Sequence, residues 1–244
     1  MIKSNYALKL LSVVFLVAGV HSNSFSQGTD ANTTVQTGTV QEGNIDDLQV
    51  KPLRLPALAE VGGTPFLTTE YKTATVITSK DKSVAEVFVK YNIYSNAIMV
   101  KMDDGQEMRL ESFKSVSYND VAADGTTKHF QFAQGLPDVD NHNSNSVYQV
   151  ISDGPKVQLL KYITQKVEDA ATLGDYSRRE LVSTEQLYIY VPGGAIKKVK
   201  ASKKDIVEAL PALSAKIDAI AASNNLKLKN EAELVTLVEA LNKP

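Results

Sequence analysis

Residues 89 to 101 read VKYNIYSNAIMVK, and apolar side chains recur there at every second position on both sides of Ser95 and Asn96. A period of two is the signature of a strand with one buried face, because successive side chains leave a pleated backbone on opposite sides. A loop centred between Ser95 and Asn96 pairs Ile93 with Ile98, Tyr91 with Val100 and Val89 with Met102 on one face. Lys90, Asn92 and Lys101 fall on the other. The next reversal tests the register. With Asp103, Asp104 and Gly105 as a three-residue loop and Gly105 left-handed, Met108 faces Val100 and Leu110 faces Ile98; a two-residue loop sets Arg109 against Val100 instead. The longer loop keeps three strands apolar on a common side and is the expected one.

A second hairpin over Asp153 and Gly154 pairs Val150 with Val157 and Tyr148 with Leu159, leaving Gln149 and Gln158 outside. Residues 71–78, 129–132, 185–191 and 195–200 add further strands, the last two joined across Pro192, Gly193 and Gly194. About ten short antiparallel strands over residues 61–201 predict a curled sheet, sandwich or partial barrel. After Ala201 the period changes. Ser202 with Asp205 resembles a capping box, Ile206, Leu210, Leu213, Ile217 and Ile220 follow at helical spacing, and Pro211 kinks this helix or starts another. Asn230 with Glu233 caps a further helix carrying Leu234, Val235, Val238 and Leu241 on one face. The fold class expected is therefore α+β: mainly antiparallel β, with a C-terminal helical hairpin over 202–244 packed on the β domain.

The N-terminus sets the expected address. Lys3 and Lys9 flank the start of a short apolar run from Leu10 to Val20, and small residues follow, so residues 1–26 read as a secretory signal peptide cut ahead of Gln27. Residues 27–60 read as a flexible linker and an extended segment, since Gly, Thr, Gln and Asp offer little to bury. No other stretch reaches the roughly twenty apolar residues of a spanning helix. The chain has no cysteine, which removes thiol nucleophiles, thiolate metal sites and disulfides. Its 26 Lys and Arg nearly balance 28 Asp and Glu, so nothing points to nucleic acid.

GTPFL, VKYNIYSNAIMVK, VYQVISDGPKVQLLKY and the helical region from IKKVKASKKDIVEALP to LKLKNEAELVTLVEALN occur in an order that resembles an uncharacterised family of secreted proteins from Bacteroidetes-type bacteria, over residues 62–242. The resemblance implies a periplasmic or outer-membrane-associated place. It transfers no catalytic residue.

Chemistry is sparse. After signal removal the histidines are His129 and His142, and no G-x-S-x-G elbow, phosphate loop or H-E-x-x-H pair occurs. His129, in KHFQF, reads as an ordinary strand residue. Asp138, Asp140 and His142 alternate in PDVDNHNSN and are the candidate metal ligands, for calcium or zinc. An EF-hand fails, because Asn143 stands where glycine is needed and Gln149 where a bidentate carboxylate is needed; the other reading is an exposed loop. Lys197, Lys198, Lys200, Lys203 and Lys204 read as a contact for anionic lipid or as a solvated edge. Tyr91, Tyr94, Tyr148, Tyr162, Tyr188 and Tyr190 form either a binding face or part of the core. The expectation is a non-enzymatic exported envelope protein, without cofactor, that binds or supports an envelope protein, glycan or lipid. The alternatives are a periplasmic carrier of a hydrophobic ligand in a partly open barrel and a divergent hydrolase or metal-dependent enzyme.

Overall fold

A computed structural model of the chain describes residues 40–52, 58, 60–169 and 179–243; the expected signal peptide lies outside the described residues. Among the described residues twelve strands form one sheet. They are β1 (Gln41–Glu42), β2 (Gln49–Pro52), β3 (Val61–Gly62), β4 (Lys72–Thr78), β5 (Lys82–Asn92), β6 (Ala97–Lys101), β7 (Glu107–Val121), β8 (Thr127–Ala133), β9 (Tyr148–Ser152), β10 (Gln158–Asp169), β11 (Arg179–Tyr190) and β12 (Ile196–Val199). The order is β1-β5-β4-β7-β8-β9-β10-β11-β12, with β2 on β7, β3 on β11 and β6 on both β5 and β7. Because β7 pairs with β4 as well as with β6, the strands from β4 to β7 curl into a partial ring rather than a closed barrel. Pairing is antiparallel throughout except where β1 lies parallel to β5 and β3 parallel to β11, so the sheet is mixed.

The first hairpin keeps its expected faces but not its expected partners. Tyr91 stands opposite Ile98 and Val89 opposite Val100, a pairing shifted by two residues that leaves a four-residue turn where a loop of Ser95 and Asn96 was expected. Residues 93–96 form the turn, in which Asn96 takes φ +47°, its N–H donates to the Ile93 carbonyl at 3.2 Å, and Asn92 Oδ1 accepts the Ser95 N–H at 2.9 Å. A slip of two moves no side chain across the sheet. The following reversal matches expectation, with Gly105 at φ +83° and Val100 opposite Met108. That ladder ends at Met99 and Arg109, however, and Leu110 lies opposite Val50 of β2.

The β9–β10 hairpin is a correction. Val150 faces Leu160, and Ser152 faces Leu159 across a bulge, so the loop is wider than Asp153 and Gly154. Its cause lies far away in sequence: Asn242 Oδ1 accepts the N–H groups of Lys156 and Val157 at 2.9 and 3.1 Å, while Asn242 Nδ2 donates to the Val157 carbonyl at 2.8 Å. Gln149, expected outside, is buried. A second correction concerns residues 41–47, expected within the flexible linker, where β1 pairs with β5; Lys51 and Pro52, expected to begin an extended segment packed along the domain, end the strand β2 that pairs with β7. There Asn44 caps a short 3-10 turn over Ile45–Asp47, Asp47 pairs with Lys82, and Leu48 is buried. Edge strands are held by backbone hydrogen bonds and need few apolar side chains, so composition alone misses them.

The caps at Ser202 and Asn230 form as expected, each accepting the N–H of the residue three positions on. They open α1 (Lys203–Ala209) and α3 (Glu231–Asn242); Pro211 begins a 3-10 turn that leads into α2 (Ser214–Ser223). Burial falls into three clusters. Val76, Tyr91, Ile98, Val116 and Phe132 fill the curl of the ring. Leu159 and Ile189 meet Ile206, Ile217, Leu234 and Leu237 of the helices, and on the opposite face Leu160 and Tyr188 meet Tyr148 and Ile196. Strands β9 to β12 are thus apolar on both sides, as a sheet covered on both faces must be. Lys161, 12% exposed, bridges Glu185 of β11 and Glu231 of α3 at 2.9 and 2.7 Å and ties that helix down.

The turn of the first hairpin is also a clasp. Asn96 Nδ2 donates to the Val147 carbonyl at 2.9 Å and to the Tyr91 hydroxyl at 2.8 Å, and Asn96 Oδ1 accepts the Val147 N–H at 2.8 Å. Asn96→Gly retains the left-handed backbone and loses these bonds, at an expected cost of about 1–3 kcal/mol. Asn96→Ala adds backbone strain of about 1–2 kcal/mol. Urea unfolding midpoints are expected to fall in the order wild type, Gly, Ala, and equal midpoints for all three would show that the clasp contributes nothing.

Candidate functional site

The segment carrying the sequence-predicted ligands, residues 134–147, leaves the end of β8 and returns to β9 across the Tyr148 and Tyr188 face. Buried Gln134 starts it by accepting the Phe113 N–H at 3.2 Å and donating to the Asn145 carbonyl at 3.0 Å. Val139 and His142 then exchange backbone hydrogen bonds around Asp140, which takes φ +52°. That turn sends the two candidates to different partners. Asp140 Oδ2 accepts the Tyr188 hydroxyl at 3.0 Å, whereas His142 Nδ1 meets the Tyr148 hydroxyl at 2.8 Å and its ring stacks on Tyr162 with centroids 3.7 Å apart. Asp138 is exposed. No group of three His, Asp or Glu side chains among the described residues is placed to hold a metal ion, so the trio does not form a ligand set.

Electrostatics make this cluster a strap. Burial holds the His142 imidazole below its ordinary value, with the Asp140 carboxylate pulling the other way and Lys198 adding to the depression. Burial also pushes the Tyr148 and Tyr188 phenols well above theirs, reinforced at Tyr188 by the hydrogen bond to Asp140. The imidazole is therefore neutral at pH 7 and the phenols keep their protons. His129 Nδ1 lies 2.9 Å from Asn119 Oδ1, so neither histidine has the carboxylate partner of a triad. Tyr91, Tyr148 and Tyr188 are each 1% exposed and serve as core. Tyr91 and Phe132 meet at a centroid distance of 4.8 Å inside the ring, where a carried ligand would have to sit. Of the basic run, Lys197 donates to the Ala209 carbonyl and Lys203 pairs with Asp218.

The surface that sequence reasoning missed is the outer face of β4, β5, β7 and β8. Register aligns its outward residues in rows: Ser83, Ile77, Ser115 and Ala133; then Thr75, Ser117 and Gln131; then Phe88 with Thr73 beside Asn119 with His129. Charged residues make up 22% of the chain, yet the outward positions of β4 and β7 in these rows are uncharged; Glu86, Lys90 and Lys101 flank Phe88 on one side, and Asp153 accepts from Gln131 on the other. Lys90, at the border, lies over the rings of Phe66 and Tyr71 at 4.2 and 5.2 Å from their centroids. Phe88 is 52% exposed. Two adjoining depressions on this face share Ala85 and Glu86 in their walls. Part of the signal was present in the alternating Thr and Ser of β4 and β7, but the rows emerge only when four strands are set side by side.

Comparison of the chain with protein-family models, with curated proteins and with solved structures gives no match.

The strap has a pH signature. The folded state holds His142 below its unfolded value of about 6.5, so on acidification the unfolded chain takes up the proton first. Stability is expected to be full above about pH 6.5 and to fall as pH drops through the folded value. Urea titrations between pH 5 and 8 are expected to show this loss in the wild type and to lack its His142 component in His142→Phe, which keeps a ring against Tyr162.

Proposed function

We propose that this protein is an exported, non-enzymatic component of the cell envelope that binds its partner through the outer face of β4, β5, β7 and β8. The reading of residues 1–26 as a signal peptide and the resemblance to secreted Bacteroidetes-type proteins support the address. The observation that carries the binding role is an exposed Phe88 beside outward rows of Thr and Ser on β4 and β7 that carry no charge, because a sheet face that only meets water normally carries Lys and Glu, which keep it soluble. Asp140 and His142 are engaged with Tyr188 and Tyr148, which leaves Thr73, Thr75, Ser115 and Ser117 of the outer face as the hydroxyls that line an open surface.

Thr75 sits in the middle row, opposite Ser117. A lysine there projects from an outward position and is expected to shift stability by no more than about 0.5 kcal/mol. Retention of the purified mature chain on isolated envelopes of its native host is expected to fall at least tenfold in Thr75→Lys, with far-UV circular dichroism unchanged. Undiminished retention in the folded variant would remove the face from consideration.

A further inference from the structure

We propose that the turn of the first hairpin binds one internal water molecule between Asn92 Nδ2 and Ser95 Oγ, and that this water holds the turn in the shape that presents Asn96 to Val147. Asn92 ends β5 and is fully buried. The orientation of its amide is determined: Oδ1 accepts the Ser95 N–H at 2.9 Å, and the reversed amide would set donor against donor. Nδ2 therefore points away from that N–H, to a place where it finds no acceptor among the described residues. Ser95 Oγ, in the same turn, is likewise closed to solvent and without a partner there.

The neighbouring protein groups are already engaged. The Asn96 carboxamide bonds the Tyr91 hydroxyl and both backbone groups of Val147. The Ile93 N–H donates to the Pro65 carbonyl at 2.7 Å and the Leu67 N–H to the Tyr91 carbonyl at 3.1 Å, which fixes Phe66 alongside Asn92. Buried polar atoms in folded proteins are satisfied by protein or by ordered water, and an internal water characteristically bridges groups that the chain leaves unsatisfied. The two atoms also select the occupant. It must accept from Nδ2 and either donate to or accept from a hydroxyl, and water does both. A cation would face the amide hydrogens, and an anion would exchange its hydration for two neutral groups, a cost that burial makes large. Bridged in this way, Asn92 and Ser95 are joined through their side chains as well as through the Ser95 N–H, so the turn is closed on itself immediately before Asn96.

A high-resolution crystal structure of the full mature chain is expected to show one solvent peak within hydrogen-bond distance of both Asn92 Nδ2 and Ser95 Oγ. Nδ2 bonded directly to Ser95 Oγ or to a carbonyl, with no peak between, overturns the proposal. An anomalous peak at that point in crystals grown with bromide overturns the ligand class. In solution, oxygen-17 magnetic relaxation dispersion counts the waters that exchange slowly. Ser95→Ala keeps the bond from the residue 95 N–H to Asn92 and removes one partner of the water, so it is expected to lose the contribution of one long-lived water. Asn92→Asp is the control, because its carboxylate accepts from both the Ser95 N–H and the water, and its dispersion is expected to match the wild type. An undiminished dispersion in Ser95→Ala, or a loss in folded Asn92→Asp, overturns the site. Hydrogen exchange of the Val147 amide, which donates to Asn96 Oδ1, is expected to quicken at least tenfold in Ser95→Ala, and unchanged protection there overturns the role of the water in the clasp.

Discussion

Tyr91 stands opposite Ile98, and because side chains leave a strand alternately, that pairing decides what both faces of the ring carry. On the inner side it gathers Val76, Val89, Val100, Val116 and Phe132 into contact. On the outer side the same parity sets Thr73, Thr75, Ser115 and Ser117 toward solvent. Burial of each large apolar side chain contributes about 1.5–3 kcal/mol, while a turn hydrogen bond contributes about 1 kcal/mol. Parity is therefore fixed by burial, and position within a given parity is left to the turn. The first hairpin shows the division: its turn shifts the pairing by two residues, no apolar residue changes side, and the core is indifferent.

Where the chain leaves the ladders, carboxamides take the place of strand neighbours. Asn96 exchanges hydrogen bonds with both backbone groups of Val147, Gln134 joins Phe113 to Asn145, and Asn242 holds Lys156 and Val157. An amide side chain carries the same donor and acceptor as a peptide unit, so it satisfies buried backbone groups at a point where no strand can reach. A chain without cysteine has no covalent means of closing such long loops, and several modest bonds serve instead.

Those clasps also mark where the sequence ceased to be readable. Gly105, the caps at Ser202 and Asn230 and the break at Pro211 act on residues within four positions, and each was legible. The β9–β10 register was not, because it depends on Asn242, 85 residues beyond Val157. The length of β7 was hidden for another reason: its buried residues Leu110, Phe113, Val116 and Tyr118 break strict alternation where the strand passes from β6 to β4 as neighbour. Asp138, Asp140 and His142 were singled out as candidate metal ligands on their alternation, but the turn at Asp140 gives Asp140 and His142 a tyrosine each, which local spacing does not reveal.

The charge-poor outer face carries a hazard, since a flat, exposed sheet without lysine or glutamate invites stacking against another sheet. Three features oppose that here. The salt bridge of Lys114 with Asp81 at the margin places charge where an approaching surface must first make contact. The outward hydroxyls retain water that a dry sheet-on-sheet contact would have to strip without replacing its hydrogen bonds. The bulge at Glu86 interrupts the plane and leaves a carboxylate that burial against a second uncharged face would strand.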